Sequence, residues 1–198
     1  MKPHCLNARE EELDLFFGMI NRFIGYFTRD AIRASQNNTQ QEYPFVPMDT
    51  RQAHAQISLA RALLQRQKKM VPGVSFLDVG CGIGNVTLLA ELMDFSAFGI
   101  EKDEYPYKIA QKLMGKEWVA QDDIWEFERF EEFDVIYYFR PFAEKKLQTD
   151  FEQMIEEKLK PGGILIANRK MDMAIDHDQR FRRLEEAWPV WQKIKGDE

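Results

Sequence analysis

Two carboxylates, Asp78 and Glu101, sit where ligand chemistry needs them. Asp78 lies inside the apolar stretch Phe76-Leu77-Asp78-Val79, which runs straight into three alternating glycines, Gly80, Gly82 and Gly84, with a helix predicted from Asn85. Such a loop can bend tightly, because glycine accepts positive φ and has no Cβ, and a ligand can approach the amides at the start of the next helix. Glu101 closes a second apolar run, Ala97-Phe98-Gly99-Ile100. It follows the loop by about twenty residues, where an adenosine ribose needs a carboxylate to accept from its hydroxyls.

The spelling of the loop narrows the ligand. A dinucleotide fingerprint reads G-x-G-x-x-G, whereas the third glycine here comes one position earlier, and no Walker lysine follows. A carboxylate at the mouth of the loop would repel a pyrophosphate and suit a ligand with an ammonium group. S-adenosylmethionine has that group on its methionine tail. Further along, Asp122-Asp123-Ile124 supplies a carboxylate for an adenine amino group and an apolar neighbour for its ring.

In order, Leu77-Asp78-Val79-Gly80-Cys81-Gly82-Ile83-Gly84, Gly99-Ile100-Glu101, Asp122-Asp123, Phe133-Asp134-Val135-Ile136 and Leu159-Lys160-Pro161-Gly162-Gly163-Ile164-Leu165 resemble the motifs of class I S-adenosylmethionine-dependent methyltransferases. The resemblance covers about residues 74 to 168 and is specific as a set. It implies a Rossmann-like fold that binds S-adenosyl-L-methionine at the C-terminal ends of its strands. Gly80, Gly82 and Gly84, with Asp78, Cys81 and Asn85, would then line the donor; Glu101, beside Lys102, would take the ribose. Asp123 and Ile124 would flank the adenine, although Asp122 stands where the family often has glycine, which leaves open which carboxylate meets the base. The reaction implied is methyl transfer by in-line displacement.

Two departures qualify the resemblance. Enzymes that methylate base amines or glutamine carry Asn/Asp-Pro-Pro-Tyr/Phe after the fourth strand, and this chain reads Phe139-Arg140-Pro141-Phe142, which disfavours base N-methylation. Tyr138, Arg140 and Phe142 are therefore the candidates for the acceptor side, with Arg140 holding an anion and the aromatic rings walling the pocket. The second departure is the tail: a helix around 178–187 and a strand over 190–194 would fill most of the space where the family has an antiparallel strand pair, leaving one strand short or lost.

The elements that must position these residues follow from periodicity. Leu13, Phe16, Phe17, Ile20, Phe23, Ile24 and Phe27 give a long amphipathic helix over about 11–35. A polar connector with Pro44 and Pro47 separates it from a second helix over about 50–69, with Ala53, Ile57, Ala60 and Leu64 on one stripe, stopped by Pro72-Gly73. From there strands (74–80, 97–101, 117–121, 133–139, 163–168) alternate with helices (85–93, 105–114, 144–158). That pattern predicts an α/β fold: a doubly wound, mostly parallel sheet with helices on both faces. The expected organisation is an N-terminal helical extension over 1–70, serving as lid or docking helices, and a donor-binding domain over 71–198.

Composition excludes several classes. With 198 residues, 44% of them hydrophobic, the chain can build one core. Net charge is +3 over residues 1–70 (10 basic, 7 acidic) and −9 over 71–198 (17 basic, 26 acidic), so neither part has the basic stripe of a nucleic-acid binder. The short Arg66-Gln67-Lys68-Lys69 segment reads as a helix C-terminus. Two cysteines, Cys5 and Cys81, give no disulfide framework, and His4, His54 and His177 have no metal spacing, so no metal is expected. Without a signal peptide or a long apolar span, a cytoplasmic monomer or homodimer is expected. The acceptor is then a small molecule or a protein side chain in preference to nucleic acid. Alternatives are a non-catalytic donor-binding protein, an aminopropyltransferase-like enzyme and, with its glycine misplaced, a nicotinamide-dependent oxidoreductase.

Overall fold

Strands that are apolar on both faces persist only where both faces are covered, and the middle of this sheet has that character. The computed structural model describes residues 7–67 and 73–194; His4, Cys5, Lys68, Lys69 and Pro72 lie outside them. Seven strands, β1 (Ser75–Val79), β2 (Ser96–Glu101), β3 (Val119–Gln121), β4 (Val135–Phe139), β5 (Ile164–Asn168), β6 (Phe181–Arg183) and β7 (Val190–Lys193), form one sheet in the order β3-β2-β1-β4-β5-β7-β6. The first five are parallel; β7 runs antiparallel to both β5 and β6. The chain order reverses between β1 and β4, and ligands bind beyond the strand ends at such a switch point.

Alternation along the strands divides the core into two layers. Phe76, Val135, Tyr137, Ile164 and Ile166 face the layer that holds α2 (Thr50–Arg66) and α3 (Asn85–Leu92). Leu77, Val79, Ile136, Tyr138 and Leu165 face the layer that holds α5 (Lys145–Lys158). Beside α3, α4 (Glu104–Met114) packs through Ala110 against Cys81 and Val119. The predicted stripe of α2 is realised in full: Ala53, Ile57, Ala60 and Leu64 are all buried in the same cluster as Phe76. This helix is thus part of the sheet's covering layer.

The first helix, α1 (Ala8–Ala34), starts with a capping box in which Asn7 and Glu10 exchange bonds with each other's backbone amides. It docks on α2 through a polar joint: Asn21 accepts from the Thr50 amide at 2.9 Å and donates to Asp49 at 2.8 Å, while Arg51 pairs with Asp14. Its apolar face divides. Phe17, Ile24 and Ala31 are buried, whereas Phe16 and Phe23, expected on that same face, are exposed.

The C-terminal region corrects the sequence reading. In place of a helix over 178–187 there is a single 3-10 turn, Met173–His177, followed by β6. Phe181 is buried while Arg182 and Arg183 are exposed, and Phe181 and Arg183 sit opposite Lys193 and Trp191 of β7. Pairing with a segment ten residues away outweighs whatever local preference favours a helix. The antiparallel pair is therefore complete, with β6 as its short member.

Ile57 is fully buried under the sheet. Ile57→Ala should lower the unfolding free energy by about 2–5 kcal/mol in urea titrations. A change below about 0.5 kcal/mol would place α2 outside the cooperative core.

Candidate donor site at the C-terminal ends of the strands

Glu101 holds the site together. One carboxylate oxygen accepts from the Gly82 amide and the other from the Asp103 amide, each at 2.8 Å. The glycine loop is folded back on the same strand end, since the Gly80 and Cys81 amides both donate to the Ile100 carbonyl at 2.9 Å. Burial pushes the Glu101 carboxyl up to about 7, against the opposing effect of those two amides. Asp78, one strand over, is 2% exposed and accepts from the Thr87 hydroxyl at 2.7 Å. Burial lifts it to about 7 as well, with Thr87 pulling the other way.

A cavity of about 270 Å³ opens beyond these strand ends. Gly80, Glu101, Lys102, Asp123 and Ile124 form one wall; Phe139, Arg140, Phe142 and Arg169 form the facing one. The connector between α1 and α2 roofs it as a strap, pinned to the segment after β4 by Tyr43 N–H to the Pro141 carbonyl (2.9 Å) and Ala143 N–H to the Gln41 carbonyl (2.8 Å). A third pin is ionic. The Lys102 ammonium lies 2.9 Å from Glu42 of the strap and 3.0 Å from Asp123 of the opposite loop.

The strap also reaches the glycine loop. Gly82 has φ +57°, and a Cβ placed there would lie 2.1 Å from Cδ2 of Phe45. The Phe45 ring therefore rests directly on the backbone that the loop offers to a ligand. A side chain at Gly82 would be excluded twice, by the left-handed backbone and by the ring.

Of the residues singled out from sequence, Gly80, Glu101, Lys102, Asp123, Ile124, Arg140 and Phe142 line the cavity, and Gly82 lies against it under Phe45. Between the two aspartates, Asp123 faces the space; Asp122 does not, and its amide donates to the Glu101 carbonyl at 3.1 Å. Four others do not line it either. Gly84 and Asn85 begin α3, where Gly84 packs toward Ala110 of α4; Cys81 is buried against Gly99, its thiol pushed well up by burial; and Asp78 is committed to Thr87. Tyr138 also lies outside it. Alternation turns Tyr138 to the α5 side, with its ring 5.0 Å from that of Phe151.

Sequence reasoning missed Phe45, Glu42 and Arg169. The first two belong to a connector whose composition reads as an ordinary loop; only its bonds to the β4 segment bring it over the site. Arg169 had a signal: it follows an apolar strand at the position where Arg140 follows β4.

Known proteins resemble this arrangement. Residues 77–167 match the family model described as a methyltransferase domain. An RNA methyltransferase from Salinibacter ruber in complex with S-adenosyl-L-homocysteine is 20% identical, with 77% of this chain and 95% of that one covered and a TM-score of 0.53. DesVI from Streptomyces venezuelae is 21% identical over 60% of this chain and 51% of its own length, with a TM-score of 0.46. A methyltransferase from Geobacter sulfurreducens, also in complex with S-adenosyl-L-homocysteine, is 17% identical over 61% of this chain and 48% of its own, with a TM-score of 0.46. The chain thus spans about half the length of DesVI and of the Geobacter enzyme. No curated protein sequence matches it significantly.

The carboxyl of Asp78 is raised in the folded state, so folding takes up a proton between the unfolded and folded values. Its contribution to stability is intact below about pH 4 and is lost as pH rises toward 7. Asp78→Asn should gain on the wild type over that window, by up to about 4 kcal/mol, and level off above it. A pH-independent difference in denaturant titrations would contradict the assigned burial. Gly82→Ala should cost about 1–2 kcal/mol from its backbone alone, plus the collision with Phe45. In a Phe45→Ala background the extra cost should disappear, which a double-mutant cycle reads directly.

Proposed function

We propose that this protein transfers the methyl group of S-adenosylmethionine to a small molecule or a protein side chain, because residues 77–167 match a family model described as a methyltransferase domain and the sheet has a Rossmann-like strand order. The single observation that carries the reading is Glu101, a buried carboxylate that fixes the glycine loop and also faces the cavity. The residues present fit an adenosine-bearing ligand. Glu101 can accept from the ribose hydroxyls, Asp123 from the adenine amino group, and Ile124 offers an apolar edge to the ring. Gly82 leaves its backbone open once the Phe45 ring withdraws.

When bound, S-adenosylmethionine supplies a methyl carbon on a positively charged sulfur. The acceptor's lone pair forms the new bond to that carbon while the sulfur keeps the electrons of the old one; any acceptor proton leaves to water. The protein's part is alignment and exclusion of solvent. Here the strap, through Tyr43 and Phe45, closes the cavity from above, and Phe139, Arg140 and Phe142 set the side from which an acceptor approaches. The walls already in place favour an acceptor small enough to enter beneath the strap. No described helix is long and apolar enough to cross a membrane; we place the protein in the cytoplasm.

Titration calorimetry should give micromolar binding of S-adenosylmethionine and S-adenosylhomocysteine and none of NAD. Glu101→Gln should weaken it at least tenfold, about 1.4 kcal/mol, because the amide has one accepting oxygen and puts an NH2 donor where the second stood. Binding of NAD without binding of the methyl donor would overturn the reading. A screen with labelled donor against fractionated metabolites, protein and RNA then reports the acceptor class; transfer to RNA alone would contradict the small-acceptor assignment.

A further inference from the structure

Among the described residues, three non-glycine positions have positive φ, and two of them, Arg140 (φ 23°) and Arg169 (φ 59°), line this one cavity. Left-handed backbone at a non-glycine residue costs about 1–3 kcal/mol and persists where the surroundings impose it, often at functional sites. The two arginines are also in register. Phe139 of β4 pairs with Asn168 of β5, each arginine is the next residue, and the Arg140 amide donates to the Asn168 carbonyl at 3.1 Å. Adjacent parallel strands are only about 4.8 Å apart. The backbones of two permanently charged residues are therefore neighbours at the strand ends, and both residues line the cavity.

Charge is accounted for elsewhere in the cavity but not here. Glu42 and Asp123 share Lys102, and Glu101 is occupied by two amides. Among the described residues, neither Arg140 nor Arg169 has a carboxylate within 4.0 Å. Arg140 instead donates from Nε to the Phe142 carbonyl at 3.3 Å and lies over the Tyr43 ring, 5.4 Å from its centre. That leaves guanidinium N–H groups of both residues to meet an incoming group. Paired guanidiniums suit an oxyanion, which they hold by charge-assisted and commonly bidentate bonds.

We propose that Arg140 and Arg169 together bind the anionic group of the methyl acceptor, and that the acceptor is a small molecule with a carboxylate or phosphate on a flat or apolar body. The term acceptor rests on the methyl-transfer reading; the anion site itself does not. Tyr43, Phe139 and Phe142 provide the apolar wall beside the two cations. Anchoring one end of the acceptor there fixes which of its atoms can face the donor side marked by Glu101 and Asp123. Arg169 is then a specificity-determining residue.

The test uses benzoate, phenyl phosphate, inorganic phosphate, neutral benzamide and a short RNA oligonucleotide as probes. Each is titrated into the full chain, with and without saturating S-adenosylhomocysteine, by NMR or calorimetry. Benzoate or phenyl phosphate should bind at least tenfold more tightly than benzamide, and their order tells carboxylate from phosphate. Arg169→Gln and Arg140→Lys should each weaken the preferred anion at least tenfold, while Arg33→Gln, a charge-matched control on α1, leaves it unchanged. Melting temperatures confirm that the variants fold, and Arg169, being exposed, is the safer of the two to change. Equal binding of benzamide, or unchanged anion affinity in Arg169→Gln, would overturn the proposal. So would binding of RNA, lost in Arg169→Gln, with no binding of the small anions. If the anions bind and S-adenosylhomocysteine does not, the donor reading fails and the arginine site stands.

Discussion

The carboxylate of Glu101 is the joint on which the site depends. It ends β2, grips the amide of Gly82 in the loop after β1, and grips the amide of Asp103 at the start of α4. Three separate pieces of backbone are thereby held at fixed distance around one buried acid. Such a group is expensive to ionise without partners, and its raised titration reflects that expense. The two amides are hydrogen-bond donors of the kind that make ionisation there tolerable. A ligand hydroxyl arriving from the cavity would add another donor on the same side. One arrangement thus both orders the backbone here and presents a carboxylate to the cavity.

From that joint the geometry propagates outward. The residue after Glu101, Lys102, bridges Asp123 on the next loop to Glu42 on the strap, so the strand end, the loop after β3 and the roof are tied in sequence. The strap is tied again to the segment after β4. This explains why Phe45, far from the glycine loop in sequence, lies on Gly82. A ligand that used the Gly82 backbone would meet the Phe45 ring on the same surface. On the opposite wall, among the described residues, the two strained arginines have no carboxylate within ion-pair distance, so the cavity is polarised: paired charge beside Lys102 and positive charge beside Arg140 and Arg169.

Much of this was legible in the sequence because it is carried by short-range pattern. The Gly80–Gly84 spacing, Asp78 and Glu101 belong to strand-to-helix turns whose geometry is local, and the parallel strands are marked by apolar runs alternating with helical segments. What escaped the sequence is long-range. The antiparallel β6 is only three residues long and exists because β7 returns beside it, so Phe181–Arg183 carries too little local signal to outcompete a helical reading. Tyr138 looked like a pocket residue from its place in the chain, yet one step along a strand reverses the face, and it packs on Phe151 instead. The strap reads as a loop with prolines whose aromatic residues are compatible with covering a substrate or with an ordinary surface position, and only its long-range bonds decide between them.

The central claim is that Glu101 changes partners' company, not place, when a donor binds, and that Phe45 yields the surface over Gly82. A crystal structure of the protein with S-adenosylhomocysteine tests this most directly. The ribose hydroxyls should lie within hydrogen-bonding distance of Glu101, with adenine beside Asp123 and Ile124 and the Phe45 ring withdrawn from Gly82. A ligand bound elsewhere, or bound with Phe45 still on Gly82 and Glu101 contacting only the two amides, would contradict the account.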